Sequence, residues 1–228
     1  VAPLNFKDFL FGISTKSLCV LNTSIQNSKY IHLDLSENNT SLQKVDVSSS
    51  TRLETYITNH IKKHDALVAF GGYNEVRNIY KRSKYFNLGN DSERNIHIGM
   101  DLWSDVNSPV FVPLDATVHS FKNNTNFGDY GPAIILKHSI NTIEFYTLYG
   151  HLSLASIENL KLNQVFKQGE PLGTLGDASV NGDYPPHLHF QIIKDIDNYE
   201  GDYPGVCNKA DLDFYLKNCP DPNLLLKL

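Results

Sequence analysis

A mainly β fold, α+β overall, is predicted for this 228-residue chain, with a small α/β segment over residues 1–90 and an antiparallel β-rich domain over residues 91–228. Three observations predict it. From about Asn95, short apolar runs recur between turns rich in Gly, Asn, Asp and Pro, the rhythm of an all-β unit. Before that point, helix-like and strand-like runs are mixed. The hydrophobic fraction of 41% is enough for a core.

In chain order, LNFKDFLF (4–11) reads as a short helix, and KSLCVLNTS (16–24) and KYIHLDLS (29–36) as short strands followed by polar residues. The run SSSTRLETYITNHIKKHDALVAF (48–70) opens on serines that can cap a helix, with Leu53, Ile57 and Ile61 at helical spacing. NEVRNIYKRSKYF (74–86) is a second helical candidate, and NLGNDSERN (87–95) reads as a loop at the boundary. Beyond it, PVFVPLDATVHSF, GPAIILKHS, TIEFYTLYGHL, EPLGTLG and HLHFQIIK are read as strands. The tail from Asp195 is loop-like, with a helix in NKADLDFYLKN (208–218) that stops before CPDPN.

Bulk composition excludes some functions. Net charge is −5 with no basic block, so nucleic-acid binding has no support. No apolar stretch approaches the ~20 residues of a membrane span. The chain starts at Val1 and its one methionine is Met100, so a processed or trimmed product is expected. Three cysteines with no Cys-x-x-Cys make neither a disulfide framework nor a thiolate zinc site. Free thiols are expected at Cys207 and Cys219, with a pairing of the two as the alternative.

The chemistry concentrates in two apolar runs. Read as a strand, HLHFQII puts His187, His189 and Gln191 on one face and Leu188, Phe190 and Ile192 on the other. In NIHIGMDLW, a strand places Ile96, Ile98, Met100 and Leu102 on an apolar face and His97, Gly99 and Asp101 opposite. Gly99 clears space between two potential ligands. Imidazoles and a carboxylate suit Zn²⁺, and three protein ligands with an open position make a catalytic site. His97, Asp101 and one histidine of the 187/189 pair supply three ligands, leaving the other for proton transfer or oxyanion stabilisation. Water on such an ion is expected to ionise near pH ~7. His151, after Gly150 in YTLYGHLS, is placed to flank it.

His97–Asp101, then Tyr149-Gly150-His151-Leu152, then His187-Leu188-His189-Phe190 resembles the lysostaphin-like (LytM-type) zinc metallopeptidases, peptidase family M23, over roughly residues 75–195. The resemblance implies an antiparallel sheet groove of that type around one zinc ion. It implies His97, Asp101 and His189 as metal ligands and His151 and His187 as catalytic residues. It further implies a zinc-dependent endopeptidase acting on peptides, with bacterial cell-wall (peptidoglycan) peptide as leading substrate. It favours a periplasmic or extracellular setting. A finer resemblance, through IHIGMDLW, DYPGV and CPDPNLLL, is to a subgroup sometimes joined to phosphotransferase-like and aminotransferase-like domains, which keeps a cytoplasmic setting open. The competing readings are a non-catalytic zinc-holding peptide- or wall-binding module and an amide hydrolase of a small metabolite. Oligomeric state is left open. In latent relatives an upstream asparagine fills the open zinc position, and Asn74 is the candidate for it here.

Other histidines have simpler readings. His60 and His64 in NHIKKH lack an intervening glutamate and read as a solvated helix face. His32, His119 and His138 sit singly in strand-like runs. GEPLGTLG lacks a phosphate-loop ending and reads as a hairpin. Tyr130, Tyr146, Tyr149 and Tyr184 are read as groove-lining or half-buried sheet residues.

Overall fold

The computed structural model describes residues 5–21, 25–82 and 93–228. Helix α1 (Phe6–Gly12) starts where the Asn5 side chain accepts from the Lys7 backbone N–H at 3.2 Å. Strand β1 (Tyr30–His32) follows, then helix α2 (Ser50–Lys63). Ser49 caps α2 by accepting from the Arg52 N–H, which satisfies a donor that the first turn leaves unpaired. Leu53 and Ile57 bury the inner face of α2. Strand β2 (Val68–Gly71) leads through a tight turn into β3 (Glu75–Val76).

Next come β4 (Ile96–His97) and β5 (Met100–Trp103). Strands β6 (Pro109–Phe111), β7 (Ala116–Asn124), β8 (Gly131–Ile140) and β9 (Ile143–Gly150) come next. β8 and β9 are joined through Asn141 and Thr142, both at positive φ (50° and 67°), as a two-residue turn matched to strand twist requires. Helix α3 (Ala155–Glu158), β10 (Val165–Phe166), β11 (Pro171–Thr174) and β12 (His187–Ile193) follow. The chain closes with β13 (Val206–Cys207), α4 (Leu212–Asn218) and α5 (Asn223–Leu226).

Eight strands form the main sheet in the order β1-β2-β5-β12-β9-β8-β7-β10. Only β1 and β2 pair in parallel; the other neighbours are antiparallel. Strands from residues 1–90 therefore lie in the same sheet as those from 91–228. β11 with β6, and β13 with β4 and β3, make two smaller sheets.

The two faces of the main sheet divide the work. One packs the largest apolar cluster, with Leu188, Phe190 and Ile192 of β12 beside Ile134, Leu136, Phe145 and Tyr149. Each such side chain contributes about 1.5–3 kcal/mol by leaving water. α1 and α5, from opposite ends of the chain, cover this face through Phe9, Leu10, Leu225 and Leu226. The other face carries His187, His189 and Gln191. Two smaller clusters flank it, one around Leu33, Leu53 and Trp103, the other around Ile98, Ile135 and Leu148.

Some local expectations are corrected. The helix expected over 74–86 is instead β3 and a 3₁₀ turn at Asn78–Arg82; residues 83–86 and most of the expected loop at 87–95 lie outside the described residues. In 16–24 only an isolated bridge, Leu21 to Val110, forms, and 22–24 lie outside the description. NIHIGMDLW is not one strand. It breaks at Ile98–Gly99, so Ile96 and Ile98 pack in a different cluster from Met100 and Leu102. The tail gains the short α5. All three cysteines are free thiols. Among the described residues no helix is long and apolar enough to cross a membrane.

His138 is fully buried. Its Nδ1 donates to the Asp115 carbonyl (3.0 Å), Nε2 faces Thr147 Oγ1 (2.8 Å), and its ring stacks on Phe145. Burial lowers its pKa from 6.5 to about 4. The unfolded chain binds a proton below pH 6.5 that native His138 refuses until about pH 4. Stability therefore falls as pH drops through that window, by about 3 kcal/mol in total. Urea titrations of His138→Gln between pH 4 and 7 are expected to show that much less pH dependence than the parent.

Candidate metal centre

β12 lies between β5 and β9. Its register sets His189 opposite Asp101 on one side and Gly150 on the other. Period-two alternation turns His187, His189 and Gln191 to the same face. The break at Ile98–Gly99 lets β4 leave the main sheet and brings His97 back over Asp101. Strand parity predicts His97 and Asp101 on one face of a continuous strand; here a break in the strand brings the two together instead.

Three acceptor atoms converge. His97 Nε2 lies 3.2 Å from Asp101 Oδ1, His189 Nδ1 lies 3.1 Å from the same oxygen, and the two nitrogens are 2.9 Å apart. Hydrogen-bond partners fix both tautomers. His97 Nδ1 faces the Gly72 carbonyl at 2.8 Å; a carbonyl only accepts, so Nδ1 carries the proton. His189 Nε2 faces Gln191 Oε1 at 2.9 Å. The Gln191 amide cannot flip, because its Nε2 donates to the Pro204 carbonyl (3.1 Å) and Cys219 Sγ (3.2 Å). His189 Nε2 is therefore the protonated nitrogen. Two imidazole lone pairs and a carboxylate oxygen face one another with no proton between them.

Such a set repels itself unless a cation sits at its centre. A tetrahedral ion with bonds of ~2.0–2.1 Å sets its ligand atoms ~3.3 Å apart, close to the separations found. His97, Asp101 and His189 form a group able to hold a metal ion, and each is only 2% exposed. Burial lowers the His97 pKa to about 4. Burial opposes the Asp101 carboxylate, but His97 and Arg77 outweigh it and hold the carboxyl well below its usual range.

His151 and His187 stand beside this group, ring centroids 4.2 Å apart. His151 takes φ 63° immediately after β9, a left-handed conformation uncommon outside glycine and frequent at functional sites. Its Nδ1 donates to the Asn181 carbonyl at 2.8 Å. His187 Nδ1 donates to the Pro185 carbonyl at 2.7 Å, and its ring stacks on Trp103. In both rings Nε2 is left as the acceptor, and His187 Nε2 lies 3.8 Å from Asp101 Oδ1. Burial lowers both pKa values, so both rings are neutral at pH 7.

The sequence reading missed the support supplied by residues 72–80. Gly72, at φ +98°, presents its carbonyl to His97. Arg77 is buried and bridges Glu75 Oε1 (Nε, 2.6 Å) and Asp101 Oδ2 (Nη1, 2.5 Å). Tyr80 stacks on His97. The available signal was Glu75 and Arg77 two apart behind a glycine pair. Asn74 is exposed in the β2–β3 turn and does not line the cavity over the site, so its expected approach to the open position is corrected; Arg77, just past β3, lines the cavity. Of the tyrosines, Tyr130 and Tyr184 line that cavity, while Tyr149 packs on the opposite face. His60 and His64 stay on the outer part of α2, and His32, His119 and His138 lie outside the cluster.

The antiparallel sheet thus holds a buried His–Asp–His set able to take a metal ion, with two neutral histidines beside it. Residues 95–201 match the family model of peptidase family M23. Solved structures to which this chain is similar include a zinc-containing peptidase from Vibrio cholerae, 25% identical, TM-score 0.35, over 44% of this chain and 28% of that one. They include the catalytic domain of the antimicrobial peptidase lysostaphin from Staphylococcus simulans, 22% identical, TM-score 0.37, over 53% and 80%. The catalytic domain of the prophage-encoded M23 protein EnpA from Enterococcus faecalis is 21% identical, TM-score 0.37, over 52% and 82%. This chain spans less than a third of the length of the Vibrio peptidase. No curated protein matches it.

Two substitutions test the centre without touching a ligand. A Cβ on Gly99 would fall 2.5 Å from His189 Nε2, so Gly99→Ala displaces that ring. Gln191→Leu removes the acceptor that fixes its tautomer. Both variants are expected to bind a divalent ion 10- to 100-fold more weakly, the usual cost of losing such support, by chelator competition with circular dichroism unchanged.

Proposed function

We propose that this chain is a zinc-dependent peptidase, with His97, Asp101 and His189 as metal ligands and His151 and His187 as catalytic residues. The observation that supports it is the convergence of His97 Nε2, Asp101 Oδ1 and His189 Nδ1 within 3.2 Å beside two neutral histidines. Two imidazoles and a carboxylate are a donor set that suits Zn²⁺ and leaves a fourth position for chemistry. A zinc ion held there supplies Lewis acidity toward a scissile carbonyl and makes water a stronger acid near neutral pH.

The chain's own groups do the rest. His151 and His187 keep their Nδ1 protons on backbone carbonyls, so Nε2 of each is free to take a proton from attacking water. The same carbonyls stabilise the imidazolium that results. The ring that takes the proton then returns it to the leaving amine, while the other, still neutral, accepts through its Nε2 and orients the attacking water. Arg77 holds Asp101 ionised and oriented. Residues 91–228 are the proposed peptidase domain, with residues 1–90 supplying Gly72, Arg77 and Tyr80 around it. Peptide is the proposed substrate class, and bacterial wall peptide is the leading member by family resemblance.

Peptide cleavage by the zinc-loaded protein is expected to fall about 100-fold or more in His187→Ala and in His151→Ala, with zinc content unchanged. His189→Ala and Asp101→Asn are expected to lose the metal itself, measured by metal analysis after dialysis. Equal inactivity of parent and His187→Ala across a broad peptide set would instead favour a zinc-holding binding module.

A further inference from the structure

We infer that the site takes one end of a short amide substrate, seating a compact, uncharged, apolar group in a blind pocket. The inference rests on the peptidase reading above and narrows its substrate class to short, end-blocked amides, in place of the intact wall peptide that family resemblance puts first.

The cavity over the His–Asp–His set encloses about 230 Å³. That is room for about eight waters at ~30 Å³ each, and it is less than the ~300–1,000 Å³ of drug-sized ligand sites. All five principal residues are 5% exposed or less. The lining residues that reach solvent are Arg94, Tyr199, Asp202 and Pro204. They form one mouth: Arg94 Nε donates to the Val206 carbonyl at 3.0 Å, which ties it to the 199–206 segment. A groove that threads an extended chain needs exposed lining at two ends. Among the described residues this cavity has one.

The closed end is apolar. Leu35, Leu53 and Ile79 form it, with Tyr80, Trp103 and Tyr184 alongside. These come largely from residues 1–90, outside the stretch that matches the family. A charged chain terminus placed there would lose its hydration without a partner. Arg77, the buried cation nearby, is bridged to Glu75 and Asp101 through Nε and Nη1, and its remaining Nη2, which has no hydrogen-bond partner among the described residues, lies beside Gly72 and the His97 ring and not at the apolar end. The group that enters is therefore neutral and apolar, and the polar remainder of the substrate leaves past Arg94 and Asp202. A second cavity of about 290 Å³ lies behind the closed end, and Leu35, Leu53 and Ile79 line both. These three side chains are the partition that sets the depth.

The test uses zinc-loaded full chain and blocked dipeptides whose neutral end group, at either end, runs from acetyl through isovaleryl and benzoyl to naphthoyl. The same bonds are embedded in blocked twelve-residue peptides, and purified peptidoglycan is a further arm. The short peptides are expected to be cleaved at least 100-fold faster than interior bonds of the long ones or intact peptidoglycan. Ile79→Phe is expected to shift preference toward smaller end groups and Ile79→Ala toward larger ones, each at least tenfold in relative kcat/KM with zinc content unchanged, the scale a pocket gains or loses per methylene or two. A general loss of structure would not move the two variants in opposite directions. Cleavage of long peptides or peptidoglycan at rates comparable to the short ones overturns the inference. If nothing is cleaved, calorimetry with the same blocked peptides separates the two claims. Binding whose size limit moves with Ile79 upholds the pocket and refutes the peptidase, and absence of binding refutes both.

Discussion

Everything at the centre depends on two imidazole nitrogens and a carboxylate oxygen being held within 3.2 Å of one another with their lone pairs inward. Water would separate such groups, and a mobile ring would turn its N–H inward to relieve the repulsion. Neither escape is open here. The Gly72 carbonyl and Gln191 Oε1 claim the outward N–H of each ring, and Gln191 is locked by its own two bonds. The sheet supplies the rest, since the β5–β12 register puts Asp101 directly opposite His189. The price is a buried arrangement that is poor on its own and good around a cation.

That constraint explains why charge is handled as it is. Asp101 is the one anion in the donor set, and its second oxygen is given to Arg77. Glu75 balances the guanidinium in turn. Breaking one member would leave a buried charge uncompensated. The neighbouring histidines avoid the problem by staying neutral, with burial as the main cause.

Much of this was legible in the sequence because β-strands alternate with period two. His187 and His189 among apolar residues could only share a face, and Leu188, Phe190 and Ile192 only the other. His97 and Asp101 were legible as a pair, but the continuous strand inferred from them was not formed. Gly99 sits against His189, and the chain turns there to enter another sheet. The 3₁₀ turn after Glu75 was misread as a helix because Val76, Ile79 and Tyr80 have near-helical spacing, whereas their burial comes from cross-chain packing. Arg77 was invisible for a deeper reason. Its role exists only through contacts with Asp101, 24 positions away, and no local pattern encodes them. Gln191 was seen on the right face, but its function depends on Pro204 and Cys219, both brought in by the tail.

The pairing of β2 with β5 carries a mechanical consequence. Phe70 and Gly71 are laced by main-chain bonds to Leu102 and Asp101, so the flank built by the first third of the chain is stitched to the strand that bears the carboxylate. A stitched flank cannot swing as a hinged door; moving it would tear the ladder and drag the carboxylate with it. The mouth lies on the opposite bank, where Tyr199 to Gly205 run without any regular strand or helix and are pinned instead through their carbonyls, by Tyr130 Oη on Tyr203 and Gln191 Nε2 on Pro204.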